Sequence, residues 1–186
     1  MDGCLRTVWE WRDAVASVKT NFRIEPEPAR ASIALIGGTS GGGTNFNIVP
    51  DEFSFTIDRR PNPDEDYDAA RTELLELLEN LGSGIDLNVD ILQDARPAAT
   101  FPEHSLVKSI YDNVVHASGR HAPLTMCPGC LETRIYSQAE IPAVAYGPGP
   151  LSQMHGPDEH VPVENLAEAC AVYAGVLGDM LGYNPG

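Results

Sequence analysis

The stretch Phe53-Ser54-Phe55-Thr56-Ile57-Asp58-Arg59-Arg60-Pro61-Asn62-Pro63-Asp64-Glu65-Asp66-Tyr67 decides how the first half of the chain folds. Phe53, Phe55 and Ile57 alternate with Ser54, Thr56 and Asp58, the period of a strand, so the first set is expected to be buried and the second turned to the opposite face. Arg60 continues the polar parity. Pro61 and Pro63 each lack an N–H and restrict the residue before them, which ends the strand. The acids Asp64, Glu65 and Asp66 then suit the positive end of a helix dipole. Tyr67, Ala70, Leu74, Leu77 and Leu81 supply that helix's buried stripe, and Gly82 and Gly84 stop it.

Working outward, Ile85, Leu87, Val89 and Ile91 alternate with Asp86, Asn88 and Asp90, which predicts another strand. Upstream, Leu5, Val8, Trp9, Val15, Val18 and Phe22 recur at helical spacing and predict a helix over 5–22. Glu25-Pro26-Glu27-Pro28 breaks it, Ala31 to Gly37 reads as a strand, and the glycine-rich run 37–43 reads as a flexible connection. The resulting α-β-β-α-β order is one strand short of the split β-α-β ferredoxin-like unit, with the missing strand at the front.

From Pro97 the pattern changes to helices alternating with buried strands. A helix is expected over 105–117, a short strand over 124–127, a further segment over 131–138 and an apolar strand over 142–146. Val163, Leu166, Cys170, Tyr173, Leu177 and Leu181 mark the buried stripe of a last helix after Pro162. This is α/β grammar, and the change near residue 95 places a domain boundary there, giving 1–95 and 96–186.

The composition narrows the function classes. With 27 acidic against 12 basic side chains and a formal charge of -15, the chain repels phosphate backbones, so nucleic acid is not an expected partner. No apolar run approaches the ~18 residues that a membrane helix needs, and the start Met1-Asp2-Gly3-Cys4-Leu5-Arg6 has no signal-peptide pattern; the expected compartment is the cytoplasm. Cys4, Cys127, Cys130 and Cys170 are too few and too irregular for a disulfide framework, and free thiols are expected.

Three places could carry chemistry. His155 lies in Gly147-Pro148-Gly149-Pro150-Leu151-Ser152-Gln153-Met154-His155-Gly156-Pro157-Asp158-Glu159, a loop beyond a buried apolar strand, where α/β proteins build their sites. Cys127-Pro128-Gly129-Cys130 has the spacing of a thiol redox pair, although no β-α-β run precedes it as a thioredoxin-like core requires. Asn47-Ile48-Val49-Pro50-Asp51 followed by Asp58-Arg59-Arg60 reads either as a strand with exposed charges or as a carboxylate clamp, because guanidinium binds carboxylate through two parallel hydrogen bonds.

Taken together these segments resemble the acetylornithine deacetylase, succinyl-diaminopimelate desuccinylase and carboxypeptidase G family of metal-dependent amidohydrolases. Three blocks carry the likeness: Gly37-Gly38 with Asn47-Ile48-Val49-Pro50-Asp51 and Asp58-Arg59-Arg60; Gly129-Cys130-Leu131-Glu132-Thr133-Arg134; and Ile141 to Gly149 through His155-Gly156-Pro157-Asp158-Glu159. The resemblance implies a ferredoxin-like lid or dimerisation domain lacking its first strand, followed by the C-terminal part of a zinc-exopeptidase-like α/β catalytic domain. It implies His155 as a metal ligand, with Asp158 and Glu159 orienting it. It further implies Arg60, Asn47 and Gly129 as substrate-binding residues.

The same resemblance implies two zinc (or cobalt) ions per complete site, substrates of the N-acyl amino acid class such as acetylornithine, and homodimerisation through the lid. The family's His-x-Asp pair and adjacent Glu-Glu pair occur nowhere in the 186 residues, so the general base and most metal ligands are expected to lie outside this chain. The chain then reads as the C-terminal half of an enzyme, inactive alone. The alternatives are a non-catalytic dimerisation module in 1–95 and a thiol redox protein using Cys127 and Cys130.

Overall fold

A computed structural model describes residues 2–82, 85–127, 129–150, 153–154 and 156–182. Two compact units divide the chain, one of residues 1–97 and 125–128, the other of 98–124 and 129–186. No helix among the described residues is long and apolar enough to cross a membrane.

In the first unit, helix α1 (Asp2–Ser17) and a 3₁₀ turn (Glu27–Arg30) precede strands β1 (Ile33–Gly42) and β2 (Phe53–Arg60) and helix α2 (Tyr67–Leu81). Helix α1 stops at Ser17, short of the expected Phe22. Beyond it the backbone finds other partners: Thr20 donates to the Arg30 carbonyl at 2.9 Å and Ser32 to the Val18 carbonyl at 2.9 Å. Strands β1 and β2 pair antiparallel, with Ala34 opposite Arg59 and Ile36 opposite Ile57. Trp11, Val15 and Ala34 form the buried core, and Ile57, Leu74 and Leu77 pack against it. The odd-numbered face of β2 therefore meets the helices, as its alternation predicts, and the face bearing Asp58 and Arg60 is the other one. Phe53 departs from the pattern at 47% exposed, because the helical core reaches Ile57 but not the far end of the hairpin.

The glycine-rich run is strand rather than a loose connection. The register slips between Ile36 and Ser40, a bulge on β1 where Gly37 adopts φ +75°. That left-handed backbone is open to glycine at no steric cost. Thr56 fills the bulge by accepting a hydrogen bond at its Oγ1 from the Thr39 N–H at 3.0 Å.

Asp66 caps α2, its side chain accepting from the Ala69 N–H. The alternating run after α2 forms no ladder; the sheet of the described residues has only β1 and β2. Residues just beyond it, Asp94 and Arg96, bond to α2. The Tyr67 hydroxyl donates to Asp94, Arg71 Nε donates to Asp94 at 3.0 Å, and Arg96 bridges both oxygens of Asp68 at 2.7 and 2.9 Å.

The second unit holds α3 (Ser105–Ser118), α4 (Thr133–Gln138) and α5 (Val163–Leu181). His104 caps α3 by accepting from the Leu106 N–H at Nδ1, and Gly119 closes the helix at φ +67°. Helices α3 and α5 are in close contact at Gly175, where an added Cβ would stand 1.8 Å from Asn113 Oδ1. Ser109 and Asn113 on α3 both donate to Asp179 on α5, at 2.6 and 2.8 Å, and hold its carboxyl below the ordinary range.

Two expectations fail from residue 124 onward. The segments 124–127 and 142–146 form no ladder, and Ala143 takes its hydrogen bonds from the Thr100 side chain, at 2.7 and 3.0 Å. The stripe expected to be buried on α5 is also exposed, with Leu166 at 47%, Tyr173 at 50% and Leu177 at 56%. The buried residues are Ala169 and Val172. Close approach to α3 selects small side chains, and Gly175 lies along the same contact.

Candidate functional site

Arg60 ends β2 on the open face of the hairpin. Asp58, two residues earlier on the same face, accepts from its Nε at 2.9 Å and its Nη2 at 2.5 Å. This two-point contact on one edge of the guanidinium fixes its plane. Both side chains are partly exposed.

The corner that follows is held firmly. Asn62 is 1% exposed; its Nδ2 donates to the Arg30 carbonyl at 3.1 Å and its N–H to Glu65 Oε1 at 2.6 Å. Glu65 also accepts from Ser32 Oγ and from Arg59 Nη2, so it joins the start of β1, the end of β2 and the turn into α2. Asp64 accepts from Thr20 Oγ1 at 2.7 Å and from the Asn21 N–H at 2.7 Å. Sequence reading missed this network, since its members are spread from Thr20 to Glu65 without periodicity. The only local signal was the acid cluster, which read as helix-dipole complement.

Burial alone would push both carboxyls up. At Glu65 the Ser32 hydroxyl, the Asn62 N–H and Arg59 outweigh it, and at Asp64 the bonds from Asn21 and Thr20 do; both end below their ordinary values. A depressed folded value contributes stability above the unfolded value, about pH 4, and that stability is lost as pH falls through the folded one. The thermal midpoint of the first unit is therefore expected to fall as pH drops from about 5 to about 3, and Glu65→Gln to flatten that slope. Circular dichroism melts across this range test it, and parallel slopes for the two proteins would remove Glu65 from the account.

The remaining sequence-derived residues are dispersed. Asn47 is exposed in the loop joining β1 to β2, at the Phe53 end of the hairpin, beside Phe46 at 98% and Val49 at 89% exposed. Phe53 and Arg60 are about 23 Å apart along an extended strand. Gly129, Asp158 and Glu159 belong to the second unit and are exposed. The Gly129 carbonyl accepts from the Leu131 N–H at 3.1 Å, and Arg134 Nη1 folds back onto the Leu131 carbonyl at 2.9 Å. The Asp158 carbonyl meets His160 Nδ1 at 2.7 Å. His155 lies outside the described residues. Cys127 and Cys130 form no disulfide, and α4 starts only at Thr133, so neither occupies the helix N-terminus that activates a redox cysteine.

The loop after residue 146 is anchored to α5 beside a cleft of about 260 Å³, lined by Arg120, His121, Tyr146, Pro148, Asn165 and Glu168 among others. Asn165 Nδ2 donates to the Pro148 carbonyl at 2.9 Å, and the Tyr173 hydroxyl to the Tyr146 carbonyl at 2.6 Å. Arg120 bridges both oxygens of Glu168 at 2.7 and 2.6 Å. Burial and the nearby Glu168 charge push the Tyr146 phenol up. Nothing local in the sequence links Arg120 to Glu168.

Residues 10–179 match the peptidase family M20/M25/M40. The chain belongs to that family. It is 28% identical over 148 residues to proteins from two strains of Mycobacterium tuberculosis named as the succinyl-diaminopimelate desuccinylase DapE, a match covering 80% of this chain and 38% of each relative. Its fold resembles that of the M20 family metallo-carboxypeptidase Sso-CP2 from Sulfolobus solfataricus, with a TM-score of 0.63, 17% identity, and coverage of 91% of this chain and 41% of that one. The M20 chain described here thus spans about two fifths of the length of these relatives. Among its described residues no three His, Cys, Asp or Glu side chains converge to hold a metal ion.

Proposed function

We propose that the chain forms part of a metal-dependent amidohydrolase acting on N-acyl amino acids such as acetylornithine, with Arg60 holding the substrate's carboxylate. The observation that carries this reading is the Arg60 guanidinium at the end of β2, partly exposed and set in orientation by Asp58, within a match to the family over residues 10–179. A planar fork of this kind recognises a carboxylate through two hydrogen bonds, which positions the acyl group that is to be cleaved. Asn47 and Gly129 are assigned further substrate contacts. His155 is assigned one ligand of a centre of two zinc (or cobalt) ions, with Asp158 and Glu159 orienting it. Residues 1–95 serve as lid and homodimerisation domain, and 96–186 as the closing part of the catalytic domain; the general base and the other ligands come from outside these residues.

A charge-assisted hydrogen bond contributes about 1.5–3 kcal/mol, so in the complete enzyme Arg60→Ala is expected to raise KM for an N-acetyl amino acid roughly 10- to 150-fold. Hydrolysis of the matching N-alkyl acetamide, which has no carboxylate, should not change. Equal losses on both substrates would overturn the clamp. His155→Ala, read by elemental analysis, should lower the metal content, and an unchanged content would remove His155 from the reading.

A further inference from the structure

The end of α3, the start of α5 and the chain from Tyr146 to Pro148 meet around the cleft of about 260 Å³ in the second unit. Its walls are fixed by hydrogen bonds. Gly119 turns the chain out of α3 at φ +67°. The Arg120 N–H that follows donates to Ser118 Oγ at 3.1 Å, and that hydroxyl donates to the Val114 carbonyl at 2.7 Å. On the opposite wall the Tyr146 and Pro148 carbonyls accept from Tyr173 and Asn165 of α5. Clefts for drug-sized ligands span about 300–1,000 Å³, so this one suits a smaller molecule.

Two opposite charges stand side by side in it. Arg120 meets both oxygens of Glu168 through one nitrogen, Nη2, at 2.7 and 2.6 Å. A guanidinium has five N–H donors and a carboxylate about four acceptor sites, so each keeps capacity beyond this contact. The Arg120 side chain is 65% exposed and that of Glu168 23%, and a bridge so open to water contributes little, which leaves both halves ready to take further partners. The pair carries no net charge, so neither sign alone is favoured. A simple anion is also opposed by the chain's net charge of -15. A simple cation finds one carboxylate among the lining residues, and Arg120 already faces it. A molecule bearing both charges on neighbouring atoms satisfies both groups at once. Val114 and Pro148 add an apolar wall beside them.

We propose that this cleft binds a free α-amino acid with an aliphatic side chain. Its carboxylate lies on the open edge of Arg120, its ammonium on Glu168, and its side chain against Val114 and Pro148. Charge-assisted hydrogen bonds at both ends fix its orientation, and the prebuilt walls reduce the ordering that binding requires. The site stands independently of the hydrolase reading. Resting on that reading, its role is to sense product, since hydrolysis of an N-acyl amino acid releases a free one.

Equilibrium dialysis of the 186-residue chain against L-leucine, N-acetyl-L-leucine and L-leucinamide tests the assignment. The second ligand lacks the ammonium and the third the carboxylate. Leucine is expected to bind at least 10-fold more tightly than either; no binding of leucine, or equal binding of either derivative, overturns the proposal. Arg120→Gln, and separately Val114→Trp, which fills the cleft, should weaken leucine at least 10-fold with an unchanged circular dichroism spectrum. Glu168→Gln should also abolish the preference for leucine over N-acetyl-L-leucine, a change that a merely structural role would not produce. Arg60→Ala should leave leucine binding as it is. Loss of leucine binding in Arg60→Ala but not in the cleft variants would place the amino acid at Arg60 and overturn the cleft, whereas failure of the Arg60 clamp on N-acyl substrates leaves the leucine result untouched.

Discussion

Replacing Arg59 by alanine is expected to destabilise the first unit by about 3–5 kcal/mol, whereas Arg60→Ala, one residue further on, should cost less than about 1 kcal/mol. The two arginines have the same side chain and adjacent positions, but a strand sends them to opposite faces. Arg59 reaches inward to Glu65, with side chains only 7% and 16% exposed. Removing it leaves a mostly covered carboxylate with Ser32 and the Asn62 N–H but no countercharge. Arg60 and Asp58 are 41% and 47% exposed, so water screens their pair and hydrates either partner when the other is lost.

At about 2–4 °C per kcal/mol, Arg59→Ala should lower the melting temperature by roughly 6–20 °C. Tryptophan fluorescence follows the unit, since Trp9 and Trp11 both lie on α1. Equal losses for the two variants would sink the argument. The expected order reverses in activity: in the complete enzyme Arg60 should matter to substrate and Arg59 only to folding.

Trp11→Ala is expected to cost about 3–5 kcal/mol, the usual range for emptying an aromatic site in a core. Trp11 is 8% exposed and is the largest member of the cluster that joins α1 to β1, β2 and α2. Its Nε1 donates to Glu73 Oε1 at 2.8 Å, a bond between α1 and α2. Trp11→Phe keeps most of the apolar volume and loses that bond, so its cost should be nearer about 1 kcal/mol. Urea unfolding of the two variants, followed by far-ultraviolet circular dichroism, separates packing from hydrogen bonding. If Trp11→Phe costs as much as Trp11→Ala, the bond to Glu73 rather than the packing dominates.

Where periodicity was strong and local, the residues announced their structure. The stripe Tyr67, Ala70, Leu74, Leu77, Leu81 became α2, the alternation from Phe53 became β2, and the run 105–117 became α3 with one residue more. In each case the backbone is satisfied within the element or by its immediate hairpin partner, so neighbouring residues suffice to specify it. Val18 to Phe22 shows the opposite case. Its apolar spacing continued the helix, but pairing with residues 30–32 gave its backbone another set of partners.

The candidate site divides along the same line. Arg60's placement on the open face follows from counting residues along β2, and so does its proximity to Asp58. The Glu65 network and the Arg120–Glu168 bridge do not follow from counting, because their partners meet only when separate elements pack.

By itself, then, the sequence determined α2, α3 and β2, the family, and the face on which Arg60 stands, all of which depend on short-range spacing or on motif identity. The tertiary structure alone decided which strand-like runs found partners and which apolar stripes were covered. Ile85 to Ile91 has a strand's alternation but no ladder, and the row Leu166, Tyr173, Leu177 has a core's spacing but stands exposed. The physical reason is the same for both. Periodicity records what a segment could bury or bond, while burial and pairing require a second surface that the segment does not contain.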